Sequence, residues 1–90
     1  MTVRFTPEAQ RDIDDIFGFI EGQNPSAAQR VKAKLRQDAE RLGTFPDLGH
    51  TTDVPGIRVL IDGRYPYLIF YTVDGEDVVV VRVRHAARRP

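Results

Sequence analysis

The chain of 90 residues contains no cysteine, no tryptophan and no long apolar run. Without cysteine it can form neither a disulfide framework nor a thiolate metal site. There is also no cluster of histidines and carboxylates with ligand spacing and no glycine-rich phosphate loop, so we expect no metal and no cofactor. The composition suits a reducing cytoplasm, where we expect the protein to act. The absence of an apolar signal region and of about 20 consecutive apolar residues predicts no membrane association.

The chain also lacks an excess of either charge, because 13 Lys and Arg balance 13 Asp and Glu. A protein that binds nucleic acid usually carries a basic excess, since neutralising phosphates supplies much of the affinity. We therefore do not expect direct binding to nucleic acid. The charge is segregated instead, with an acidic first helix and a basic second helix and tail. This asymmetry suits a protein partner at least as well as a phosphate backbone.

Two helices are predicted in the first half of the chain. Thr6-Pro7 and Asn24-Pro25 each combine an N-cap side chain with proline at the first helical position, which is typical of a helix start. Apolar residues then recur at steps of three and four. Gly22 is predicted to end the first helix and Gly43 the second. The short joint between them predicts a helical hairpin.

Four strands are predicted around this hairpin. Thr2–Phe5 precedes it, and residues 44–56 after it form a loop rich in Pro, Gly, Asp and Thr. The remaining strands are Ile57–Ile61, Tyr67–Val73 and Val78–Arg84, which tight turns should join into an antiparallel meander. We expect residues 1–90 to form a single α+β domain of order β-α-α-β-β-β. The first strand should join the sheet edge, and the hairpin should pack on one face of the small antiparallel sheet.

The C-terminal stretch combines the most apolar strand with a basic tail. Four consecutive valines, residues 78–81, favour a strand because branching at Cβ suits a pleated surface. So apolar a run predicts a central strand. No acid interrupts the basic residues that follow around His85, which are Arg82, Arg84, Arg88 and Arg89. The strand therefore carries a cationic patch to one edge of the domain.

A series of short motifs covers nearly the whole chain. They are Ala9-x-x-Asp12-Ile13-x-x-Ile16-x-x-Phe19-Ile20, Asn24-Pro25-x-Ala27-Ala28, Leu42-x-x-Phe45-Pro46-x-Leu48-Gly49, Gly56-Ile57-Arg58, Pro66-Tyr67-x-Ile69-x-Tyr71 and Val83-Arg84-His85-x-x-Arg88. In this order they resemble the RelE/ParE superfamily of toxins from type II toxin–antitoxin systems. The resemblance implies the same β-α-α-β-β-β fold. The Asn-Pro-x-Ala-Ala start of the second helix and the Arg-His-x-x-Arg tail are more similar to the ParE branch.

The resemblance implies two candidate activities. A ParE-like toxin inhibits DNA gyrase by protein contact, is not an enzyme, and serves plasmid stabilisation. A RelE-like toxin is a ribosome-dependent endoribonuclease that cleaves mRNA. Either kind is neutralised by an antitoxin in a hetero-oligomer, and here we expect a ParD-like antitoxin. We favour the ParE-like reading, with DNA gyrase as the target and no catalytic residues.

The candidate site residues differ between the two activities. In the ParE-like reading, a cationic surface binds a protein partner through Arg58, Arg82, Arg84, His85 and Arg88. In the nuclease reading, His85 is the general acid or base, and Arg58 and Arg84 stabilise the phosphate in the transition state. A purely structural role is the alternative for each residue. His85 would then lie at a strand end with a hydrogen bond to a backbone carbonyl, and Arg58 would be solvated or paired with Asp62 or Glu76.

The other polar and aromatic residues are predicted to have structural rather than functional roles. The basic residues of the second helix straddle it and have acids four residues away, which favours a solvated charged face over a nucleic-acid patch. His50 stands alone in a loop and is not expected to bind metal. Tyr65, Tyr67 and Tyr71 lie among apolar residues and are predicted to be core rather than base-stacking groups.

Overall fold

Helix α1 (Pro7–Glu21) and helix α2 (Pro25–Thr44) begin where the capping residues predict, in a computed structural model that describes residues 1–61 and 64–86. The side chains of Thr6 and Asn24 each accept a hydrogen bond of 3.1 Å from the backbone N–H three residues later. Proline follows each cap, so the helix starts with one donor fewer to satisfy. Three residues separate the two helices, and the predicted hairpin is confirmed.

Gly43 does not end α2, contrary to the sequence prediction, because the helix continues to Thr44 and is capped at Phe45. Gly43 has a different role, since it lies where α2 meets the chain start. The Met1 amino group donates a 2.9 Å hydrogen bond to the Gly43 carbonyl. A Cβ on Gly43 would lie only 2.8 Å from the Met1 carbonyl oxygen. The absent side chain therefore permits close packing rather than a left-handed turn.

Two glycine-to-alanine substitutions test this close approach. Gly18→Ala is expected to raise the free energy of unfolding by about 0.5–1 kcal/mol, because nothing lies near its Cβ and alanine favours the helix. Gly43→Ala brings the same helical preference but pushes against the Met1 backbone, so we expect it to lower stability. Urea unfolding of both variants measures the difference. Equal stabilisation by the two alanines would contradict close packing at Gly43.

The five strands form one sheet, in the spatial order β1-β5-β4-β3-β2. They are β1 (Thr2–Phe5), β2 (His50–Thr51), β3 (Arg58–Ile61), β4 (Tyr67–Asp74) and β5 (Asp77–His85). The antiparallel meander of β3, β4 and β5 is confirmed. The first strand joins the edge as predicted, but it runs parallel to β5, so the sheet is mixed. The valine-rich strand lies between β1 and β4, and its central position is confirmed.

The segment predicted to be a loop, residues 44–56, contains the short strand β2. His50 and Thr51 pair with Val59 and Arg58 in antiparallel register. Two residues are too few to show an alternating pattern, and the neighbouring residues are those that favour turns. Only the tertiary placement of this segment beside β3 reveals the strand.

The core lies between the two helices and one face of the sheet. Leu42, Tyr71, Val78 and Val80 are fully buried there. Tyr67 is also buried and Tyr65 packs against the cluster, so the prediction that the tyrosines are core residues is confirmed. Strand residues between these positions alternate to the opposite face and are half-buried, as with Leu68, Phe70 and Val79. Among the described residues, no helix is long and apolar enough to cross a membrane.

Candidate functional site

The end of β5 extends past the edge strand beside it. β1 pairs with β5 only as far as Phe5 opposite Val80, so the following residues of β5 meet α1 instead. The Thr6 hydroxyl donates a 3.1 Å hydrogen bond to the Val81 carbonyl. The Asp12 carboxylate accepts a 3.0 Å hydrogen bond from the Val83 backbone N–H. Side chains of the first helix and its cap therefore satisfy part of the strand edge that β1 leaves uncovered.

Asp12 also binds Arg82 through both carboxylate oxygens. Its Oδ2 lies 2.7 Å from Arg82 Nε, and its Oδ1 lies 3.2 Å from Nη2. This bidentate pair is the geometry in which guanidinium and carboxylate interact most strongly. The sequence analysis described a tail with no acid nearby, and here the fold brings one from a residue 70 positions earlier. The charge of Arg82 is thus compensated within the protein.

The ion pair changes the protonation equilibrium of both partners. Partial burial raises the pKa of Asp12, but hydrogen bonds from Arg82 and Val83 and the positive charges of Arg82 and Arg84 outweigh it. The net effect holds the pKa of Asp12 below its ordinary value of 3.8. For Arg82 the direction is opposite, because the hydrogen bond to Asp12 raises the pKa of its guanidinium. Both groups are therefore charged throughout the physiological range.

A cleft of about 490 Å³ separates α1 from the end of β5. Phe19 lines it, and 58% of this large apolar side chain is exposed. Arg84 and His85 lie on the opposite wall, and both are half-buried. Within residues 1–61 and 64–86, no acid lies within salt-bridge distance of Arg84. The cleft thus brings together an apolar group, an arginine without a salt bridge, a histidine and two acids, Asp12 and Asp15.

His85 packs against a core aromatic residue. Its ring meets the Tyr67 ring edge to face, with centroids 5.4 Å apart and an interplanar angle of 88°. The two residues face each other in the β4–β5 register. The imidazole is therefore held at the strand end by an aromatic neighbour on the helix side of the sheet.

Arg58 lies elsewhere on the sheet. It pairs with Tyr71 across β3 and β4, so it points to the helix side, whereas Arg84 pairs with Leu68 on the opposite side. Its Nη1 donates a 2.8 Å hydrogen bond to the Gly49 carbonyl, and Asp47 lies 3.8 Å from Nη2. Asp47 is thus its acidic neighbour, rather than the predicted Glu76, and Asp62 lies outside the described residues.

The strand register separates the residues that a nuclease would need together. Arg58 and His85 pair with residues four positions apart on β4, and β4 lies between their strands. Their Cα atoms are therefore roughly 16 Å apart by ordinary strand dimensions. Arg84 adjoins His85 in sequence but points to the other face. Arg88, the last predicted partner-binding residue, lies outside the described residues.

The basic residues of α2 make contacts within the helical hairpin. Lys34 forms the predicted pair with Asp38, at 3.3 Å. Asp38 itself is only 1% exposed and also pairs with Arg41, so this part of the face is not simply solvated. Lys32 lies 5.1 Å above the centre of the Phe17 ring on α1. No described residues form a group of three metal-binding side chains, and His50 is an exposed member of β2.

The sequence is similar to known toxins over almost its full length. A toxin of Caulobacter vibrioides named RelE2 is 36% identical over 86 residues, which are 96% of each chain. A protein of Sinorhizobium fredii named as a toxin is 33% identical over 84 residues, which are 93% of this chain and 86% of that one. The RelE and ParE names thus both occur among the relatives and structural neighbours.

Two solved structures have a similar fold. A chain of the chromosomal ParDE toxin–antitoxin system from P. aeruginosa superposes with a TM-score of 0.83 at 23% identity, covering 94% of this chain and 95% of that one. A chain of the RelBE2 toxin–antitoxin complex from Mycobacterium tuberculosis gives 0.66 at 25% identity, covering 97% and 92%. The predicted fold class is confirmed by these neighbours.

A family model covers residues 3–90 of the chain and is described as the ParE toxin of the type II toxin–antitoxin system parDE. The match includes the helical hairpin, the meander and the basic end of β5. The chain therefore belongs to this ParE toxin family, within the RelE/ParE superfamily of type II toxins.

Proposed function

We propose that the protein is a toxin that inhibits DNA gyrase through protein contacts and that a ParD-like antitoxin neutralises it. The observation that carries the proposal is the separation of the candidate nuclease residues. Cleavage of RNA needs a proton-transfer group and cationic groups around one phosphate, at hydrogen-bond distances. Here Arg58 is bound to the Gly49 carbonyl, His85 packs on Tyr67, and roughly 16 Å of sheet lies between their Cα atoms.

The surface that remains is suited to a protein partner. The exposed Phe19 supplies an apolar contact in the cleft that Arg84 also lines, and Arg84 forms no salt bridge with a described acid. An apolar anchor beside an arginine is the combination that dominates the energetics of many protein interfaces. The zero net charge of the chain also favours a protein target over a nucleic-acid backbone. Arg58 and Arg82 extend the proposed contact, although Arg82 would bring its partner Asp12 with it.

The antitoxin has a second surface available on the helical hairpin. A groove of about 330 Å³ lies between β1 and the two helices, and Phe5 is 39% exposed at its margin. Apolar residues line its floor, which are Val3, Phe5, Ile13, Leu35 and Ala39. We propose that an amphipathic antitoxin helix binds there and that an extended acidic segment reaches the arginines. Both structural neighbours come from toxin–antitoxin systems, which supports a partner of this kind.

A ribosome-dependent endoribonuclease is the second candidate. The observation that favours it is the name RelE2 of a relative at 36% identity, together with the fold similarity to the RelBE2 complex. In that case His85 would transfer the proton, and Arg58 and Arg84 would stabilise the phosphate. These three residues would then have to meet around one phosphate when the toxin is bound to the ribosome.

Two assays on the purified full chain, released from its antitoxin, distinguish the candidates. One measures supercoiling of relaxed plasmid by DNA gyrase, and the other measures cleavage of mRNA on translating ribosomes. We expect loss of supercoiling with intact mRNA, and recovery of supercoiling when the antitoxin is added back. Codon-dependent cleavage with normal supercoiling would overturn the proposal and make His85 a catalytic residue.

A further inference from the structure

Among the fully buried residues in the described part of the chain, Tyr71 alone carries a hydroxyl group, and this hydroxyl binds two backbone groups of one loop. The Tyr71 hydroxyl donates a 2.7 Å hydrogen bond to the Pro46 carbonyl and accepts one of 2.8 Å from the Gly49 N–H. These bonds join β4 to residues 46–49, between α2 and β2. The loop is therefore fixed from inside the core at both of its ends.

Gly49 can lie this close to Tyr71 only because it has no side chain. A Cβ at this position would lie 2.7 Å from the Tyr71 ring and hydroxyl and 2.8 Å from the Val59 carbonyl oxygen. These contacts are too short for any real Cβ, and the opposing atoms belong to a packed ring and to backbone. The loop and the tyrosine are thus fitted to each other at a fixed distance.

The far side of the same glycine binds Arg58. While its N–H points to the Tyr71 hydroxyl, its carbonyl accepts the 2.8 Å hydrogen bond from Arg58 Nη1. Arg58 also faces Tyr71 directly in the β3–β4 register. The core hydroxyl, the glycine and the guanidinium therefore form one continuous chain of hydrogen bonds from the buried sheet to the surface.

We propose that Tyr71 and Gly49 are positioning residues for Arg58, holding its guanidinium in one orientation for contact with a protein partner. The inference rests on the proposed function, in which Arg58 belongs to the partner-binding surface. A long side chain loses conformational entropy when a partner orders it, so an arginine that is already ordered binds more tightly. The buried hydroxyl thus acts on the Arg58 side chain through the backbone of Gly49, whose N–H and carbonyl lie on either side of its Cα.

The same network connects three motifs through residues that do not line the cleft at the end of β5. The loop belongs to Phe45-Pro46-x-Leu48-Gly49, and the guanidinium is that of Gly56-Ile57-Arg58. The hydroxyl is that of Tyr71, the last residue of Pro66-Tyr67-x-Ile69-x-Tyr71. Their separation in sequence hides this connection, and the β3–β4 register joins them. One hydrogen-bonded unit thus contains a residue from each motif.

Tyr71→Phe and Gly49→Ala test the inference without any partner. In the ¹⁵N-labelled full chain, the heteronuclear NOE of the Arg58 Nε–H reports how well the side chain is ordered. We expect the NOE to fall in both variants. Val80→Ala is the matched control, because Val80 is fully buried opposite Tyr71 but makes no hydrogen bond to the loop through its side chain. An Arg58 signal that stays ordered in Tyr71→Phe and Gly49→Ala would overturn the inference, whatever the target.

A double-mutant cycle then tests the effect on function. The measurement is the half-inhibitory concentration in whichever assay responds to the wild-type chain, gyrase supercoiling or mRNA cleavage on ribosomes. We expect Tyr71→Phe to raise it about threefold to tenfold, and to have almost no effect when Arg58 is already alanine. Val80→Ala should act equally in both backgrounds, since it changes stability alone.

The remaining outcomes separate the two proposals. If Arg58→Ala leaves inhibition unchanged, Arg58 does not belong to the partner-binding surface, and the functional part of this inference is wrong while gyrase inhibition stands. If Tyr71→Phe weakens inhibition equally with and without Arg58, its effect is structural and the inference is overturned. If the wild-type chain is inactive in both assays, the proposed function fails, and the NOE alone decides whether Tyr71 orders Arg58.

Discussion

Reversing the charge of Arg84 to glutamate is expected to weaken gyrase inhibition by about tenfold or more, whereas His85→Ala should change it by less than about twofold. Arg84 lies beside the cleft and has no described acid within salt-bridge distance, so after charge reversal a partner's carboxylate would meet repulsion in place of attraction. His85 packs against Tyr67, and its replacement by alanine removes an aromatic contact rather than reversing a charge. The half-inhibitory concentration in the supercoiling assay gives the comparison.

Arg30→Glu on the exposed face of α2 is the matched control for Arg84→Glu. It changes the net charge of the protein by the same amount, so it reveals any effect of the long-range field. Binding to the hairpin groove by the antitoxin reports that each variant is folded. The opposite result, with inhibition lost in His85→Ala and kept in Arg84→Glu, would point to proton transfer and to the nuclease.

Removal of the Asp12 carboxylate is expected to lower the free energy of unfolding by about 2 kcal/mol at neutral pH. Asp12→Ala loses the bidentate bond to Arg82 and leaves the Val83 N–H without its acceptor. We expect a smaller loss of stability than for a fully buried ion pair, because the Arg82 side chain is 42% exposed and water can solvate it. Asp15→Ala, one turn along the same helix and exposed, is the control and should have little effect.

The stabilisation by Asp12 should depend on pH in one direction. Its pKa is lower in the folded protein than the ordinary 3.8, so the folded state favours the ionised carboxylate. The contribution is therefore complete above the unfolded pKa and is lost as the pH falls through the folded pKa. The free energies of unfolding of wild type and Asp12→Ala, measured in urea, should differ fully at pH 6 and approach each other as the pH falls below 3.8. A difference that stayed constant over this range would mean that the ionised pair is not what stabilises β5.

Local sequence was sufficient for the elements of the fold. Thr6 and Asn24 cap helices through their own side chains, and consecutive valines at 78–81 favour a strand whatever lies beside them. These preferences act over a few residues, so they can be recognised without knowledge of the neighbours. The two wrong predictions have the complementary cause. Strand β2 is only two residues long, too short for a local pattern, and Gly43 is required by the distant Met1 rather than by a helix end.

The candidate site depended on contacts between distant residues. The sequence predicts Arg58, Arg84 and His85 as one group in the nuclease reading, but strand register places Arg58 far from His85, and alternation puts Arg84 on the other face. The sequence also places Arg82 in a basic stretch that no acid interrupts, because nothing in a linear pattern indicates that Asp12 on the first helix meets Arg82 and Val83. A residue's partners lie across the sheet or on a packed helix, and their identity follows only from register and packing.

The sequence by itself therefore determined the helices, the principal strands, the α+β class and the family, since capping, β-branching and ordered motifs are local properties. Tertiary structure alone decided which charges are compensated and which side chains share a face. Asp12 neutralises Arg82, Tyr71 fixes the loop that binds Arg58, and Arg84 remains available at the cleft. The physical reason is that charge compensation and side-chain order depend on distances of about 3 Å between residues such as Asp12 and Val83, which are 71 positions apart.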